Sequence, residues 1–142
     1  MYSIVLVGVD DTPRATHVLD AACEIAERFD SRIHLFRAVR VPQAFPPAAA
    51  TERDTLPEAL ESAARRDLEA LAAGRPRITI EPPDLITPNP WEAIVGAAQR
   101  LGATLIVVGS HGFGGWDHVL GTNAGKVADR ATCNVLVVHP QS

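Results

Sequence analysis

Apolar and polar residues form alternating blocks along this chain, and the blocks predict strands and helices in turn. Near-continuous β-branched runs are typical of strands covered on both faces, and apolar residues spaced three to four apart are typical of amphipathic helices. The predicted strands are residues 3–9, 32–39, 77–81, 104–108 and 134–138, and the predicted helices are residues 13–29, 57–73, 90–101 and 124–131. Because each strand is followed by a helix, we predict a doubly wound α/β fold: a parallel sheet with right-handed crossovers and helices on both faces.

Two helices carry clear start signals in the sequence. Thr12 suits the N-cap of the first helix, and Pro13 suits its first turn. Asn89 and Pro90 form the same pair at the start of the third helix.

The length of 142 residues fits one domain spanning residues 1–142. A Pro- and Ala-rich segment, about 42–57, shows no periodicity, and we expect it to be a flexible loop. With 46% hydrophobic and 21% charged residues, the composition is that of an ordinary globular protein.

Charge and cysteine usage narrow the possible partners and the compartment. The net charge of −4, with the arginines scattered, disfavours a nucleic-acid partner. The first apolar run is too short to span a membrane, and no basic segment precedes it, so we expect no signal peptide and no membrane partner. Cys23 and Cys133 form no Cys-x-x-Cys pair, and we predict two buried thiols in the reducing cytoplasm.

The strongest chemical signal is a glycine-rich segment between the fourth strand and the last helix. It contains Gly109, Gly112 and Gly121 and leads directly into helix-forming residues. Glycine permits close backbone approach, and a helix N-terminus supplies free amide groups and a favourable dipole. The segment therefore predicts binding of a phosphorylated ligand.

A second candidate, Asp10, follows the first strand. In doubly wound sheets, ligands bind beyond the strand C-termini, where the strand order reverses. If strands one and four are neighbours, as the order 3-2-1-4-5 would make them, Asp10 and the glycine segment face one crevice. The carboxylate could then accept hydrogen bonds from adenine or ribose; the alternative is a polar residue in a strand-end turn.

Several other motifs do not fit. Residues 121–127 resemble a Walker A loop but lack its spacing and its hydroxyl residue for magnesium. Gly8 stands alone where a dinucleotide fingerprint needs three glycines. His111 and His118 lack the spacing of a metal-ligand pair, and Ser110 lacks the Gly-x-Ser-x-Gly context of a nucleophile.

Four segments match one known family, in order and at the right separations. They are VGVDDT at 7–12, LIVVGSHG at 105–112, LGT at 120–122 and NVLVV at 134–138. Together they resemble the universal stress protein family, and the likeness covers essentially the whole chain. The resemblance implies a five-stranded sheet of order 3-2-1-4-5, a cytoplasmic location and a homodimer. One branch of the family binds ATP through Gly-x2-Gly-x9-Gly-Ser/Thr, and another branch lacks this motif.

Matched position by position, the resemblance implies an adenine-nucleotide site. Gly109 and Gly112 correspond to the first two glycines of the motif, and Gly121 and Thr122 correspond to its closing pair. Asp10 corresponds to the aspartate on the adenine and ribose side. The implied cofactor is ATP, alone or with Mg²⁺, and the implied site residues are Val9, Asp10, Ala38, Val108, Gly109, His111, Gly112, Gly121, Thr122 and Asn123.

The chain departs from the family pattern in two places. Eight residues, 113–120, separate Gly112 from Gly121, where the common pattern has nine. Pro88-Asn89-Pro90 stands where the family usually has Gly-x-Pro. The glycines and Thr122 survive, so the chain looks like a short-loop variant of the ATP-binding branch.

Three functions remain open on the sequence. The first is a nucleotide-dependent sensor or regulator in the stress response, which needs no catalytic residue. The second is a slow ATPase, for which His111, Asp117 and His118 are the candidate groups. The third is a dimeric interaction protein that needs no nucleotide.

The last strand, 134–138, predicts a homodimer interface. An apolar strand at the edge of a sheet has unpaired backbone groups and invites pairing with a second copy. On the sequence alone, Val137→Glu is expected to give a monomer.

Overall fold

The computed structural model describes residues 1–39, 56–110 and 122–140. These residues form alternating strands and helices, as the sequence predicts. The elements are β1 (Ile4–Gly8), α1 (Arg14–Phe29), β2 (Arg32–Phe36), α2 (Leu56–Ala72), β3 (Ile78–Ile80), α3 (Pro90–Leu101), β4 (Leu105–Gly109), α4 (Thr122–Arg130) and β5 (Asn134–Val138).

The strands form one parallel sheet of order β3-β2-β1-β4-β5, which confirms the predicted topology. β1 lies in the centre, with Gly8 level with Phe36 of β2 on one side and with Val108 of β4 on the other. A central strand must be apolar on both faces. Accordingly, Val5, Leu6 and Val7 are completely buried.

Helices cover both faces of the sheet. Val5 and Val7 point into a core that contains Leu19 of α1 and Leu68 of α2. Leu6 points to the opposite core, with residues of α3 and α4. Successive side chains of a strand alternate between faces, so the same short apolar runs supply both cores.

Gly8 lets α3 approach the end of β1 closely. A Cβ atom at this position would lie 3.0 Å from Cδ1 of Ile94 and 3.3 Å from Cγ1 of Val108. Contacts this short would force α3 or its side chains to move. The missing side chain therefore fixes how close α3 stands to the carboxyl ends of β1 and β4.

The strand boundaries differ from the prediction at β3 and β2 for backbone reasons. β3 begins at Ile78 because Arg77 has a left-handed backbone, with φ of 68°, and its guanidinium donates to the Ala26 carbonyl oxygen at 2.8 Å. β2 ends at Phe36, although pairing continues irregularly: Ala38 forms an isolated bridge with Asp84.

Thr12 does not cap α1 as predicted. The N-cap residue is Pro13, with no side-chain cap, and the helix begins at Arg14. The Thr12 hydroxyl instead donates to Oδ1 of Asp10 at 2.6 Å and accepts weakly from the Arg14 amide at 3.3 Å. The turn between β1 and α1 is thus organised around the Asp10 carboxylate.

The start of α3 confirms the predicted position but not the predicted contact. Asn89 is the N-cap residue, and Pro90 occupies the first turn. The Asn89 side chain makes no cap hydrogen bond; its Nδ2 donates to Oε1 of Glu92 at 2.9 Å. The contact with the Glu92 carboxylate orients the Asn89 amide, and the Asn89 side-chain oxygen accepts no cap hydrogen bond from the helix backbone.

Other sequence expectations have mixed outcomes. The predicted flexible loop, about 42–57, lies mostly outside the described residues, and its last two positions belong to α2. Cys23 and Cys133 are free but partly exposed, not fully buried, and partial burial raises the pKa of the Cys133 thiol. Within the described ranges, no helix is both long and apolar enough to cross a membrane.

Asp84 organises the connection between β3 and α3. Its Oδ1 accepts from the amides of Ile86 and Thr87 at 2.9 and 2.8 Å, and its Oδ2 accepts from the Thr87 hydroxyl at 2.9 Å. Desolvation acts to raise the pKa of this carboxyl, but the Thr87 and Ile86 hydrogen bonds and the charge of Arg100 outweigh it and lower the pKa. The folded protein therefore stabilises ionised Asp84.

We predict that Asp84→Ala lowers the free energy of unfolding by about 1.5 kcal/mol at pH 7, because three hydrogen bonds to a carboxylate are lost. Since the folded-state pKa is depressed, this stabilisation is present above the unfolded pKa and disappears as the pH falls below about 4. Urea unfolding of both proteins at pH 7 and pH 3 measures the difference.

The control is Glu24→Ala, because Glu24 forms an exposed pair with Arg28 at 3.7 Å. Its effect should stay within about 0.5 kcal/mol at both pH values. An Asp84→Ala effect that is equally large at both pH values would contradict the assignment.

Candidate functional site

A cleft opens at the carboxyl ends of β1 and β4. It lies between α1, which packs on one face of the sheet, and α3 and α4, which pack on the other. The chain leaves β1 toward one face and reaches the opposite face after β4, so this is the point where the strand order reverses. Ligands of doubly wound proteins bind at such a point.

Six predicted site residues lie on the wall of this cleft: Val9, Asp10, Ala38, Val108, Gly109 and Asn123. Val9, Ala38 and Val108 are buried and give the wall an apolar surface. Thr122 is the first residue of α4, directly before Asn123. The remaining predicted residues, His111, Gly112 and Gly121, lie outside the described residues, as do Asp117 and His118.

Asp10 is held in place by its own turn. Its Oδ1 accepts from both the amide and the hydroxyl of Thr12, at 2.9 and 2.6 Å. An aspartate that bonds the backbone two residues on forms a compact Asx turn, which fixes the side chain. The carboxylate therefore enters the cleft already oriented.

The turn after β1 is also connected to α2 through the ion pairs of Arg37. Arg37 lies 3.8 Å from the Asp11 carboxylate and 3.2 Å from that of Asp67, and its side chain is only 15% exposed. Arg37 thus joins the loop after β1 to a helix of the same face. The Asp11 contact is long and the Asp11 side chain is 65% exposed, so this pair adds little stability to the turn.

Opposite Asp10, the first turn of α4 faces the cleft. Asn123 and Ala124 line it, and α4 runs for nine residues from Thr122. The first amides of a helix have no partner inside the helix, and the helix dipole favours negative charge there. The arrangement suits an anionic group at this end of the cleft.

Gly109 keeps the floor of the cleft open. A Cβ atom here would lie 3.2 Å from Cγ2 of Val18 on α1. A side chain would therefore press on α1 at the point where that helix borders the cleft. This requirement for space, and no unusual backbone angle, explains glycine at the end of β4.

The cleft wall also contains residues that the sequence patterns did not predict. Arg14 and His17 come from the first turns of α1, and Pro90 and Ile94 come from α3. His17 also lies 3.1 Å, through Nε2, from the His139 carbonyl oxygen beyond β5. Their position in the sequence could have identified them. The first turn of a helix that follows a strand lies beside the crevice at the carboxyl end of that strand.

Ser110 is a further polar residue of the cleft wall, which its sequence context excluded as a nucleophile. It follows β4, its amide donates to the Val138 carbonyl oxygen at 2.9 Å, and it is 1% exposed. Its hydroxyl has no hydrogen-bond partner among the residues that the structure describes. No described base therefore activates this hydroxyl.

Comparison with known proteins gives consistent results. The family model described as the universal stress protein family matches residues 1–139. The curated Universal stress protein A homolog 1 of Coxiella burnetii is 30% identical over 142 residues, covering 96% of each chain.

Solved structures give the same match over nearly the full chain. Universal stress protein UspA from Lactobacillus plantarum is 26% identical, with a TM-score of 0.75 and coverage of 96% of this chain and 97% of the other. A universal stress protein in complex with cAMP is 27% identical, with a TM-score of 0.69 and coverage of 99% of both chains. With its strand order and its cleft at the switch point, the chain belongs to the universal stress protein family.

Proposed function

We propose that this protein binds an adenine nucleotide, ATP in the first place, in the cleft between β1 and β4, and acts as a cytoplasmic, nucleotide-dependent sensor or regulator. One observation carries the proposal: an oriented carboxylate, Asp10, and the N-terminal turn of α4 line the same cleft. A nucleotide has hydroxyl donors at its ribose and an anion at its phosphate, which complement these two features.

The apolar wall between the two features supports the same ligand class. Val9, Ala38 and Ile94 offer a buried, apolar surface to a base. Such a mixture of apolar lining and a few fixed polar groups is typical of small-molecule sites. The relative solved in complex with cAMP adds support, because its ligand is an adenine nucleotide.

Regulation without chemistry is the form of the proposal that the described residues favour. Asp10 is engaged by Thr12, and the Ser110 hydroxyl has no described partner, so the described wall offers binding groups and no paired nucleophile and base. Binding energy can shift a conformational or assembly equilibrium without any reaction.

We predict that Asp10→Asn weakens ATP binding about ten-fold, because a carboxylate acceptor for ribose hydroxyls becomes a neutral amide. The amide oxygen of Asn can still accept from the Thr12 amide, so the turn and the fold should persist. Isothermal titration of ATP into both proteins gives the affinities, and thermal unfolding without ligand checks the fold.

Asp11→Asn is the matched control, since Asp11 is the next residue, is 65% exposed and is not on the cleft wall. It removes the same charge from the same turn and should change the affinity less than two-fold. Equal losses in the two variants would attribute the effect to general electrostatics, and undiminished binding in Asp10→Asn would rule out the proposed role. A parent protein that binds no adenine nucleotide would reject the proposed function.

We further propose that β5 mediates a homodimer. β5 is the edge strand of the sheet beside β4, and Leu136 on it is 36% exposed. An apolar edge strand with unpaired backbone groups is a favourable surface for a second copy. Val135 and Val137 instead pack against the core beneath α3 and α4.

Because Val137 packs against the core, Leu136 is the better position at which to test the dimer. Val137→Glu would place a charge against the core and destabilise a monomer as well as a dimer. Leu136→Glu places the charge on the exposed side chain of the same strand. We predict that Leu136→Glu is folded and sediments as a monomer, whereas the parent sediments as a dimer.

Ile86→Glu provides the control for surface charge. Ile86 is 93% exposed in the segment before α3, away from β5, so the same type of substitution should leave the dimer intact. A folded Leu136→Glu variant that remains dimeric would show that the interface lies elsewhere.

A further inference from the structure

Two serine hydroxyls of the described residues are buried without a hydrogen-bond partner: those of Ser31 and Ser110. Ser31 is completely buried and Ser110 is 1% exposed. An unpaired buried hydroxyl destabilises a folded protein, and most buried polar groups have a partner. The two serines differ in position, and the difference suggests different explanations.

Ser110 lies at the functional end of the sheet. Gly8 of β1 is level with Val108 of β4, so Ser110 occupies the same level as Asp10, two residues further along. Ser110 lines the cleft together with Asn123 and Ala124 of the first turn of α4. Its hydroxyl is thus on the side of the cleft that suits an anion.

The backbone of Ser110 is held at the end of β4. Its amide donates to the Val138 carbonyl oxygen of β5, which is the last hydrogen bond of the β4–β5 ladder, and Ser110 itself lies in the bend that follows. Ser110 is buried and lines the cleft together with Asn123 and Ala124, so it lies at the α4 side of the cleft.

We infer that the Ser110 hydroxyl is a ligand-binding group, which donates a hydrogen bond to a phosphate oxygen of the bound nucleotide. The inference rests on the proposed nucleotide function and adds a residue to it. Phosphate oxygens are acceptors, and a serine hydroxyl carries one donor hydrogen, so the direction of the bond is set. The hydroxyl has no partner among the described residues, and a phosphate at the α4 N-terminus would supply one.

The phosphate group can be isolated by comparing AMP with adenosine. Ser110→Ala should weaken AMP binding about ten-fold or more, because a hydrogen bond to a charged acceptor is lost. Adenosine binding should change less than two-fold. Thermal unfolding without ligand should show an unchanged or slightly raised Tm, since an unpaired buried hydroxyl has been removed.

Ser31→Ala is the matched control. Ser31 follows α1 and precedes β2, so it lies at the amino end of the parallel sheet, opposite the cleft. The same atom is removed from an equally buried site, and the Tm should respond in the same direction. Binding of AMP and of adenosine should be unchanged.

Ser110→Cys guards against misfolding of the alanine variant. Cysteine keeps the side chain close in size but is a weak donor, so AMP binding should again fall. Unchanged AMP affinity in either folded Ser110 variant would overturn the inference, as would an equal loss for AMP and adenosine, which would place the contact on the nucleoside. If the parent binds neither AMP nor ATP, the proposed function fails together with the inference; parent binding with unaffected Ser110 variants rejects the inference alone.

Discussion

Parallel pairing of β1 with β4 is the constraint on which the rest of the molecule depends. The pairing aligns Gly8 with Val108, so the residues beyond both strands emerge at one level. The connection after β1 leads to α1 on one face, and the residues after β4 lead to α4 on the other. Backbone that separates in two directions leaves a crevice between the strand ends. The cleft is therefore a result of topology, and side chains such as Asp10 give it chemical character.

Packing within the protein itself fixes the shape of this crevice. Gly8 allows Ile94 of α3 to come within contact of the end of β1, and Gly109 leaves space against Val18 of α1. The Asp84 hydrogen bonds fix the segment that leads into α3. A site whose walls are fixed before binding loses little conformational entropy on binding, so its contacts contribute more fully to affinity. The apolar cores thus contribute to recognition by keeping the polar groups in position.

Much of this architecture could be predicted from the sequence, because strand order and burial follow from apolar runs with a strict alternation of element types. The bounds of α3 and β5 were predicted to the residue, and most other ends were displaced by one to three residues. The predicted ends and caps were wrong where a side chain forms a hydrogen bond with a partner other than the expected one. The Thr12 hydroxyl donates to Asp10 and accepts only a long hydrogen bond from the first helix amide, Asn89 donates to Glu92, and Arg77 has a left-handed backbone and donates to the end of α1. Competition of this kind depends on three-dimensional neighbours, which local propensity does not contain.

Ser31 and Ser110 illustrate the same limit at the level of function. Both are serines beside a buried strand, and sequence patterns gave neither a binding role. Only the fold separates them, by placing one at each end of a parallel sheet. An unpaired hydroxyl at the amino end lowers stability, and Ser31 is not among the residues that line the cleft between β1 and β4. The same defect at the carboxyl end can be recovered on binding, because a ligand that supplies the missing acceptor stabilises the folded state by linkage. With the role proposed for Ser110, a ligand that carries an acceptor beside this hydroxyl binds more tightly than one that lacks it.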